Sequence, residues 1–557
     1  MNIQIWYARR GIRIDYECIA LTDKIYHNCG VAAVYLLDKV MRISNSKGER
    51  ITPEPPGAAI GSIEDGNVTK LLPSMLLDLQ NRGQLAAGIS RYQPDHPQIL
   101  DTYKDTGTVS EVFRMSHPGK YGSILKEYTG KAAIGHTRYA TCGQDDSRYA
   151  QPFERHHGRL WKWFAFAFNG QLANFSELRD RLLAKRNYHF TLNTDTEIIM
   201  HALSYRLRGD KVPELRKVMS SLSRDFDGAY NIVFLDAMGR MFVARDPLGI
   251  RPMSWALQGR LFAAASESAA LSNLGFDKIY ALAPGEMAII ENGSLRFERF
   301  ANNHRCAHCF FEWVYFSNVA SVIDGSSVYI ARANSGKRLA ELETEKIDSS
   351  CVVVPVPDTA KAAADAFAYT LGIPCVEGLI RNRYIGRTFI QPVGTRGRSA
   401  KGKYTPLPDV LKGKKVFLVE DSIVRSTTLR TLVNQIRTKG GAREVHVRVA
   451  SPPIIAPCFY GIDMSTMGEL FAPKFIPKNY HGNPSAPMQK HMAKELGVDT
   501  LRYLSVNDIA ECIGIEVDHL CTACATGKYP TQWGQKLLRK AKRMKQQGRK
   551  EVRPYEM

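Results

Sequence analysis

Two rhythms of apolar positions divide this chain. From about residue 29 to about 300, short apolar runs alternate with turn residues and read as strands: KAAIGHTRYA, WFAFAFNG, AYNIVFLDA, MFVARDP, LFAAASE and MAIIENG. Residues 177–185 and 194–207, between them, carry helical spacing. Strand runs with grouped helices predict an α+β sandwich. Near residue 350 the rhythm becomes strand–helix–strand: SCVVVPVPDT, a helix through Tyr369, a stop at Gly372, then CVEGLI. That order predicts an α/β doubly wound parallel sheet. The boundary falls between about 300 and 345. Residues 45–67, rich in Gly, Pro and Ser, read as a surface insertion, as do 473–487.

The densest chemistry lies in 416–428, VFLVEDSIVRSTT. Val416 to Val419 form a buried-strand pattern that ends on two acids, Glu420 and Asp421. Ser422, Arg425, Ser426, Thr427 and Thr428 follow, and Leu429, Leu432, Val433 and Ile436 then mark a helix that stops at Gly440-Gly441. A strand over 444–450 completes a βαβ unit. Ligands of such sheets sit beyond the carboxyl ends of the strands, where a helix start offers free N–H groups to an anion. Hydroxyls and amides suit a phosphate, and the acids suit sugar hydroxyls or a metal. GxxxxGK[ST] is absent, so this is not a Walker loop.

Composition narrows the class without deciding it. At 557 residues the chain can hold roughly two to four domains. No apolar run of about 18 residues predicts a membrane span, and the first twenty residues lack a signal-peptide core, so the cytoplasm is the expected location. The net charge of +20 suits anionic substrates. Eight Lys or Arg between Lys536 and Lys550 predict a solvated helix or a disordered tail, with no nucleic-acid contact expected. The eleven cysteines are scattered as in a reducing compartment, although Cys306/Cys309 and Cys521/Cys524 form CxxC pairs that invite a zinc reading.

The segment 416–428 resembles the phosphoribosyl pyrophosphate (PRPP) loop of phosphoribosyltransferases. The amino-terminal half carries Cys29-Gly30, QNRGQLAAGIS (80–90), GHTRYAT (135–141), FNGQLAN (168–174), NTDTE (193–197), RDPLGIRP (245–252) and ASES (265–268). In this order the motifs resemble class II glutamine amidotransferases, whose fold is an amino-terminal nucleophile (Ntn) αββα sandwich. The resemblance implies Cys29 as nucleophile, the Asn169 side chain and Gly170 N–H as oxyanion donors, Arg138 on the glutamine α-carboxylate and Asp195 on its α-ammonium. Arg82 is expected to support the site. The α-amine of Cys29 would move the proton, which requires residues 1–28 to be removed as a propeptide, or to be a short leader from a later start. The sequence departs from the family at Phe168, where His is usual, and at Gln171, where Asn is usual.

The two halves together resemble the glutamine PRPP amidotransferase, or amidophosphoribosyltransferase, family, in its iron–sulfur branch. A sugar isomerase or an ATP-binding second half would have indicated other amidotransferases. The implied enzyme hydrolyses glutamine and passes ammonia to PRPP, giving 5-phosphoribosylamine, glutamate and pyrophosphate, the committed step of de novo purine synthesis. Implied with it are Mg²⁺ on Thr359, Glu420 and Asp421, and PRPP contacts from Glu420 to Ser422 and Arg425 to Thr428. Arg383, Tyr384 and Arg387 are expected on a closing loop. A [4Fe–4S] cluster would be held by Cys309, Cys458, Cys521 and Cys524. Purine nucleotides are expected as feedback inhibitors, and a homo-oligomer as the assembly. Expected boundaries are a leader at 1–28, glutaminase at 29–305, a connection at 306–345, the phosphoribosyltransferase at 346–510, and a cysteine-containing tail at 511–557. Ser426 stands where the family has Gly, and its Cβ is expected to crowd the phosphate turn. Two rivals are a PRPP-sensing regulator without activity and an amidotransferase for another phosphosugar.

Overall fold

The computed structural model describes residues 29–39, 43–44, 48–55, 57, 63, 65–139, 146–185, 188–302, 305–381, 404–462, 464, 466–477 and 480–547. The leader and the expected loop residues Arg383, Tyr384 and Arg387 lie outside the described residues.

In the amino-terminal half two antiparallel sheets face each other. One has seven strands in the order Ile279–Ala281, Ser254–Gln258, Leu261–Ala265, Gly30–Leu36, Ala132–Arg138, Ala86–Tyr92, Leu100–Thr106. The other has six, in the order Ser294–Arg299, Glu286–Glu291, Met241–Arg245, Gly228–Asp236, Phe164–Leu172, Phe153–Arg155. Period-two alternation sorts the side chains between layers. Val31, Ala33 and Ile134 meet Ala165, Ala167 and Val233 between the sheets. Ala32 and Val34 face outward onto the helix Leu72–Asp78 through Leu72, Met75 and Leu76. Phe164, Phe166 and Phe168 face the opposite way, onto the helices Asp195–Arg206 and Leu215–Asp225. The space between the sheets mixes such small residues with Trp255, Phe262 and Phe297, whereas the phenylalanines of the Phe164–Leu172 strand lie beneath helices. The result is the four-layered αββα sandwich expected from the sequence.

The second half contains four parallel strands in the order Cys351–Pro355, Lys415–Glu420, Glu444–Val449, Thr500–Tyr503. Val353 and Phe417 pack toward Ala363 and Phe367 of the helix Lys361–Leu371. Val352, Val416 and Leu418 pack on the other face, toward Leu429 and Leu432 of the helix Thr427–Thr438. Helices on both faces make the sheet doubly wound. CVEGLI does not form a full fifth strand: Cys375 makes one parallel bridge to Val353, and Leu379–Arg381 pairs antiparallel with Tyr404–Pro406. Pro374 and Gly378 bracket the segment and cut its ladder short.

Two surface expectations change. Glu54, inside the supposed insertion 45–67, is buried and its carboxylate accepts from the Asp277 and Lys278 N–H groups. The basic run near the carboxyl end is a one-sided helix, Gln532–Gln546, with Leu537, Leu538 and Ala541 in the core. Trp533 N–H donates to Asp227 Oδ2 of the first half at 3.1 Å, and Lys545 Nζ donates to the Met467 carbonyl of the second at 3.4 Å.

The halves meet at buried charges. Arg82 Nη2 lies 2.7 Å from Glu312 Oε2 and Arg82 Nε 2.5 Å from Glu267 Oε1, while Arg251 Nη1 donates to Glu312 Oε1 at 2.8 Å. All four side chains are at most 1 % exposed. Ser317 Oγ donates to Glu312 Oε2, and Arg251 Nη2 donates to the Tyr460 carbonyl at 2.8 Å. Burial alone would raise the Glu312 carboxyl, but Arg82 and Arg251 outweigh it and hold the group down at about 2.

Removing one member strands buried charge, so Glu312→Ala is expected to lower unfolding stability by about 3–5 kcal/mol, measured by urea denaturation. The folded-state value lies below the ordinary 4.5, so the contribution of the Glu312 charge is complete above 4.5 and drains as the pH falls toward about 2. The stability gap between the native chain and Glu312→Gln should close across that window.

Candidate functional site

Cys29 immediately precedes the Gly30–Leu36 strand, at the centre of the seven-stranded sheet. The register Gly30↔Thr137 puts Arg138 across from it on the neighbouring strand. Burial pushes the Cys29 thiol up from its ordinary value, the Arg138 charge pulls it back and the Asp195 charge raises it again. Cys29, Arg138 and Asp195 thus form one electrostatic unit. Asp195 opens the helix Asp195–Arg206, whose N-cap Thr194 accepts from the Glu197 N–H. Its carboxylate accepts from the N–H groups of Leu172 at 3.5 Å and Thr196 at 2.9 Å. Burial nonetheless moves Asp195 up to about 6.

Asn169 and Gly170 lie at the end of the Phe164–Leu172 strand. Asn169 Nδ2 donates to Ser266 Oγ at 3.2 Å, and the same oxygen accepts from the Val31 N–H at 3.0 Å. Ser266 therefore ties the strand after Cys29 to the strand carrying Asn169. The amide nitrogen carries two hydrogens, so one is left for a second acceptor. Gly170 has φ +150°, and a Cβ there would lie 2.0 Å from the Ala229 carbonyl oxygen, so only glycine fits. His136 is fully buried on the Ala132–Arg138 strand, and burial lowers it to about 3, so it cannot take protons near neutrality. Arg82 is occupied by Glu267 and Glu312, in keeping with a supporting role.

Most of the second group of expected residues share one cavity of about 560 Å³, Ser426 and Thr427 not being among those that line it. Thr359, Glu420, Asp421, Ser422, Arg425 and Thr428 line it. Glu420 ends its strand, Thr359 follows the neighbouring one, and Thr427 and Thr428 open the helix, so the group sits at the carboxyl edge of the sheet. Ser422 Oγ donates to Asp421 Oδ1 at 2.6 Å, and Arg425 Nη2 lies 3.1 Å from Glu469. Ser426 has φ −86°, ordinary right-handed backbone, so the backbone itself does not require glycine at this position.

Three residues without an expected role matter here. Arg332, 7 % exposed, lines the cavity and donates to the carbonyls of Trp313 at 2.8 Å and Ser317 at 2.9 Å. It lies on the buried stripe of the helix Val328–Glu341 beside Val328, Ala331 and Ser335, and a lone cation on an apolar stripe is the available signal. Glu312 stands as a single acid inside the aromatic run FFEWVYF. Asn81 lines the cavity and donates to Glu267 Oε1 at 2.9 Å, while the next residue, Arg82, binds the same oxygen. Glu267 thus links Asn81 of the cavity wall to Arg82, and it directly follows Ser266, which holds Asn169.

The four expected cluster cysteines converge. The parallel pair His308–Cys309 and Leu520–Cys521 sets Cys309 opposite Cys521. The Ile455 and Ala456 N–H groups donate to the Cys524 carbonyl at 2.7 and 3.1 Å, which draws in the segment bearing Cys458. All four thiols are buried; burial and then each other's proximity raise Cys309 and Cys524 well above the ordinary range. Cys306 stands apart, beside Arg245.

The glutamine amidotransferase domain family matches residues 101–281. The amidophosphoribosyltransferase of Methanothermobacter thermautotrophicus is 40% identical over 459 residues, 82% of this chain and 90% of the relative. That of Bacillus subtilis is 38% identical over 465 residues, again 82% and 90%. The solved glutamine phosphoribosylpyrophosphate (PRPP) amidotransferase from B. subtilis, complexed with ADP and GMP, is similar with a TM-score of 0.73 and 34% identity, covering 91% of this chain and 98% of that one. With two such sites on one framework and relatives of this extent, the chain belongs to the amidophosphoribosyltransferase family.

Proposed function

We propose that the chain hydrolyses glutamine at Cys29 and delivers the ammonia to PRPP in the cavity at the carboxyl edge of the parallel sheet. The observation that carries this reading is Glu267, which accepts from Asn81 of the cavity wall and from Arg82 and directly follows Ser266, the partner of Asn169. In the first half, Arg138 holds the α-carboxylate of glutamine and Asp195 its α-ammonium, whose positive charge favours the Asp195 carboxylate against its burial. The Cys29 thiolate attacks the carboxamide carbon, and the oxyanion is met by Asn169 Nδ2 and the Gly170 N–H. Ammonia leaves, and water hydrolyses the thioester to glutamate. His136 is unsuited to the proton transfer, so the α-amine of Cys29, once the preceding residues are gone, is the favoured base.

In the second half, Glu420 and Asp421 take the ribose hydroxyls, while Ser422, Arg425, Ser426, Thr427 and Thr428 surround the 5′-phosphate at the helix start. Arg383, Tyr384 and Arg387, outside the described residues, are proposed as further PRPP contacts by their resemblance to the family. Thr359, Glu420 and Asp421 are hard oxygen donors that suit Mg²⁺, an ion that keeps several waters and takes its remaining contacts from substrate phosphates. Bound there, it would neutralise charge on the leaving pyrophosphate.

Cys309, Cys458, Cys521 and Cys524 form a donor set that suits a [4Fe–4S] cluster. No three His, Cys, Asp or Glu among the described residues are set to share a single metal ion. The role of the cluster would be structural, clamping the tail to both halves. Feedback by purine nucleotides is supported by the ADP and GMP complex of the B. subtilis relative. We further propose a homo-oligomer, a cytoplasmic location and the domain limits 29–305 and 346–510. None of the helices among the described residues is long and apolar enough to cross a membrane.

Coupled assays test the function. Cys29→Ala should abolish glutamine-dependent pyrophosphate release yet retain synthesis from ammonium and PRPP, whereas Asp421→Asn should lose both. Glutamine hydrolysis indifferent to PRPP would instead indicate another acceptor. Alkylation of Cys29, followed by peptide mass spectrometry, should shift to lower pH in Asp195→Asn and to higher pH in Arg138→Gln. Cys458→Ser should lose iron and the visible thiolate-to-iron absorption in anaerobically purified protein.

A further inference from the structure

The glycine assigned as an oxyanion donor is held from both sides, and one side belongs to the other half of the chain. On its own sheet, Gly170 presses against Ala229, as the 2.0 Å Cβ clearance shows. Across from that contact lies Gly461, where an ideal Cβ would stand 2.9 Å from the Gly170 carbonyl carbon and 3.0 Å from its oxygen. Gly461 has φ +93°, so the chain reaches this position through backbone that only glycine adopts readily. Its N–H donates to Gln171 Oε1 at 3.1 Å. One residue earlier, the Tyr460 carbonyl accepts from Arg251 Nε at 3.1 Å and Nη2 at 2.8 Å. Three hydrogen bonds thus fasten the Tyr460–Gly461 backbone to the first half, against the Gly170–Gln171 peptide, the one that directly follows the Gly170 N–H and is joined to it through the Gly170 Cα.

We propose that Gly461 and Gln171 are positioning residues of the glutamine site, with the second half of the chain supplying a backbone buttress that sets the angle of the Gly170 N–H. This rests on the reading of Asn169 and Gly170 as the oxyanion donors. A donor set off angle loses far more against the tetrahedral oxyanion than against ground-state glutamine, because the oxyanion carries the developing charge. The buttress therefore acts on kcat and leaves KM nearly untouched. It also makes ammonia release sensitive to any movement of the segment that bears Cys458. The residue before each contact explains the spacing: Gly170 and Gln171 are adjacent, so one glycine of the second half can press the first and bind the second.

The test compares steady-state glutaminase kinetics with ammonium-dependent synthesis in the full-length protein. Gln171→Leu removes the acceptor while keeping similar bulk, and Gly461→Ala drives a methyl into Gly170. Both should lower glutaminase kcat by about ten-fold or more, with KM for glutamine within about two-fold and ammonium-dependent synthesis unchanged. Gln171→Glu, which keeps an acceptor oxygen at the same reach, should recover most of the lost rate. Should Gly461→Ala fail to fold, seen as loss of ammonium-dependent synthesis too, the Gln171 pair decides. Asn169→Ala serves as the reference. If it abolishes glutaminase activity while Gln171→Leu retains full kcat, the buttress is overturned and the oxyanion reading stands. If Asn169→Ala is itself fully active, the oxyanion reading falls and the proposal with it.

Discussion

The molecule depends on a buried set of four charges, two guanidiniums and two carboxylates, at the junction of its halves. Taking ions out of water is costly, and the cost is recovered only if every lone pair and N–H finds a partner in good geometry. Glu312 meets that condition with Arg82, Arg251 and Ser317, and Glu267 meets it with Arg82, Asn81 and the Asn318 and Ser321 donors. The positions 82, 251 and 267 lie on the sandwich, 312 to 321 on the connection, and Arg251 reaches on to Tyr460. A single low-dielectric node therefore fixes the sandwich, the connection and the parallel-sheet half with respect to one another. Apolar burial around Phe310, Phe311 and Trp313 supplies bulk attraction there, but it is non-directional. The charges supply the alignment.

Much of this was legible from the amino-acid sequence, for identifiable reasons. The helix expected over 194–207 appears as Asp195–Arg206 with Thr194 as its cap, and the strand at 416–419 extends by one residue at either end. Cys29 and Arg138 were legible as a pair only through resemblance, because strand register, not sequence distance, sets them side by side. Periodicity failed where a polar residue serves a distant part of the chain. Glu54 sits in a Gly- and Pro-rich stretch yet is buried by its bonds to 277 and 278. Arg332 and Glu312 break local apolar patterns for partners that no local window contains. Gln171 looked like a departure from the family and proves to hold Gly461.

The two active regions use burial in opposite ways. Around Cys29, burial raises the thiol and the Asp195 carboxyl, so Arg138 and an Asp195 carboxylate with little margin above its titration are the charges that face the thiol. In the second cavity, cations stand close to the acids: Arg332 is held near Asp421, and Arg381 pairs with Asp358. The first region is arranged for a zwitterion and an attacking sulfur. The second is arranged for a polyanion, with its charges already distributed before the ligand arrives.

The docking of the helix Gln532–Gln546 has a consequence for how the two halves could have been assembled. Its backbone and Lys545 reach Asp227 on one side and Met467 on the other, and Tyr460 meets Thr531 just before it. The sandwich is thus not a portable module that could be exchanged between acceptor domains by cutting at the connection. A chimaera would have to bring with it a carbonyl for Arg251, a glycine for Gln171 and a terminal helix for Asp227. Such joint requirements tie the evolutionary histories of the two halves together, so that change in either is confined to what the other already accommodates.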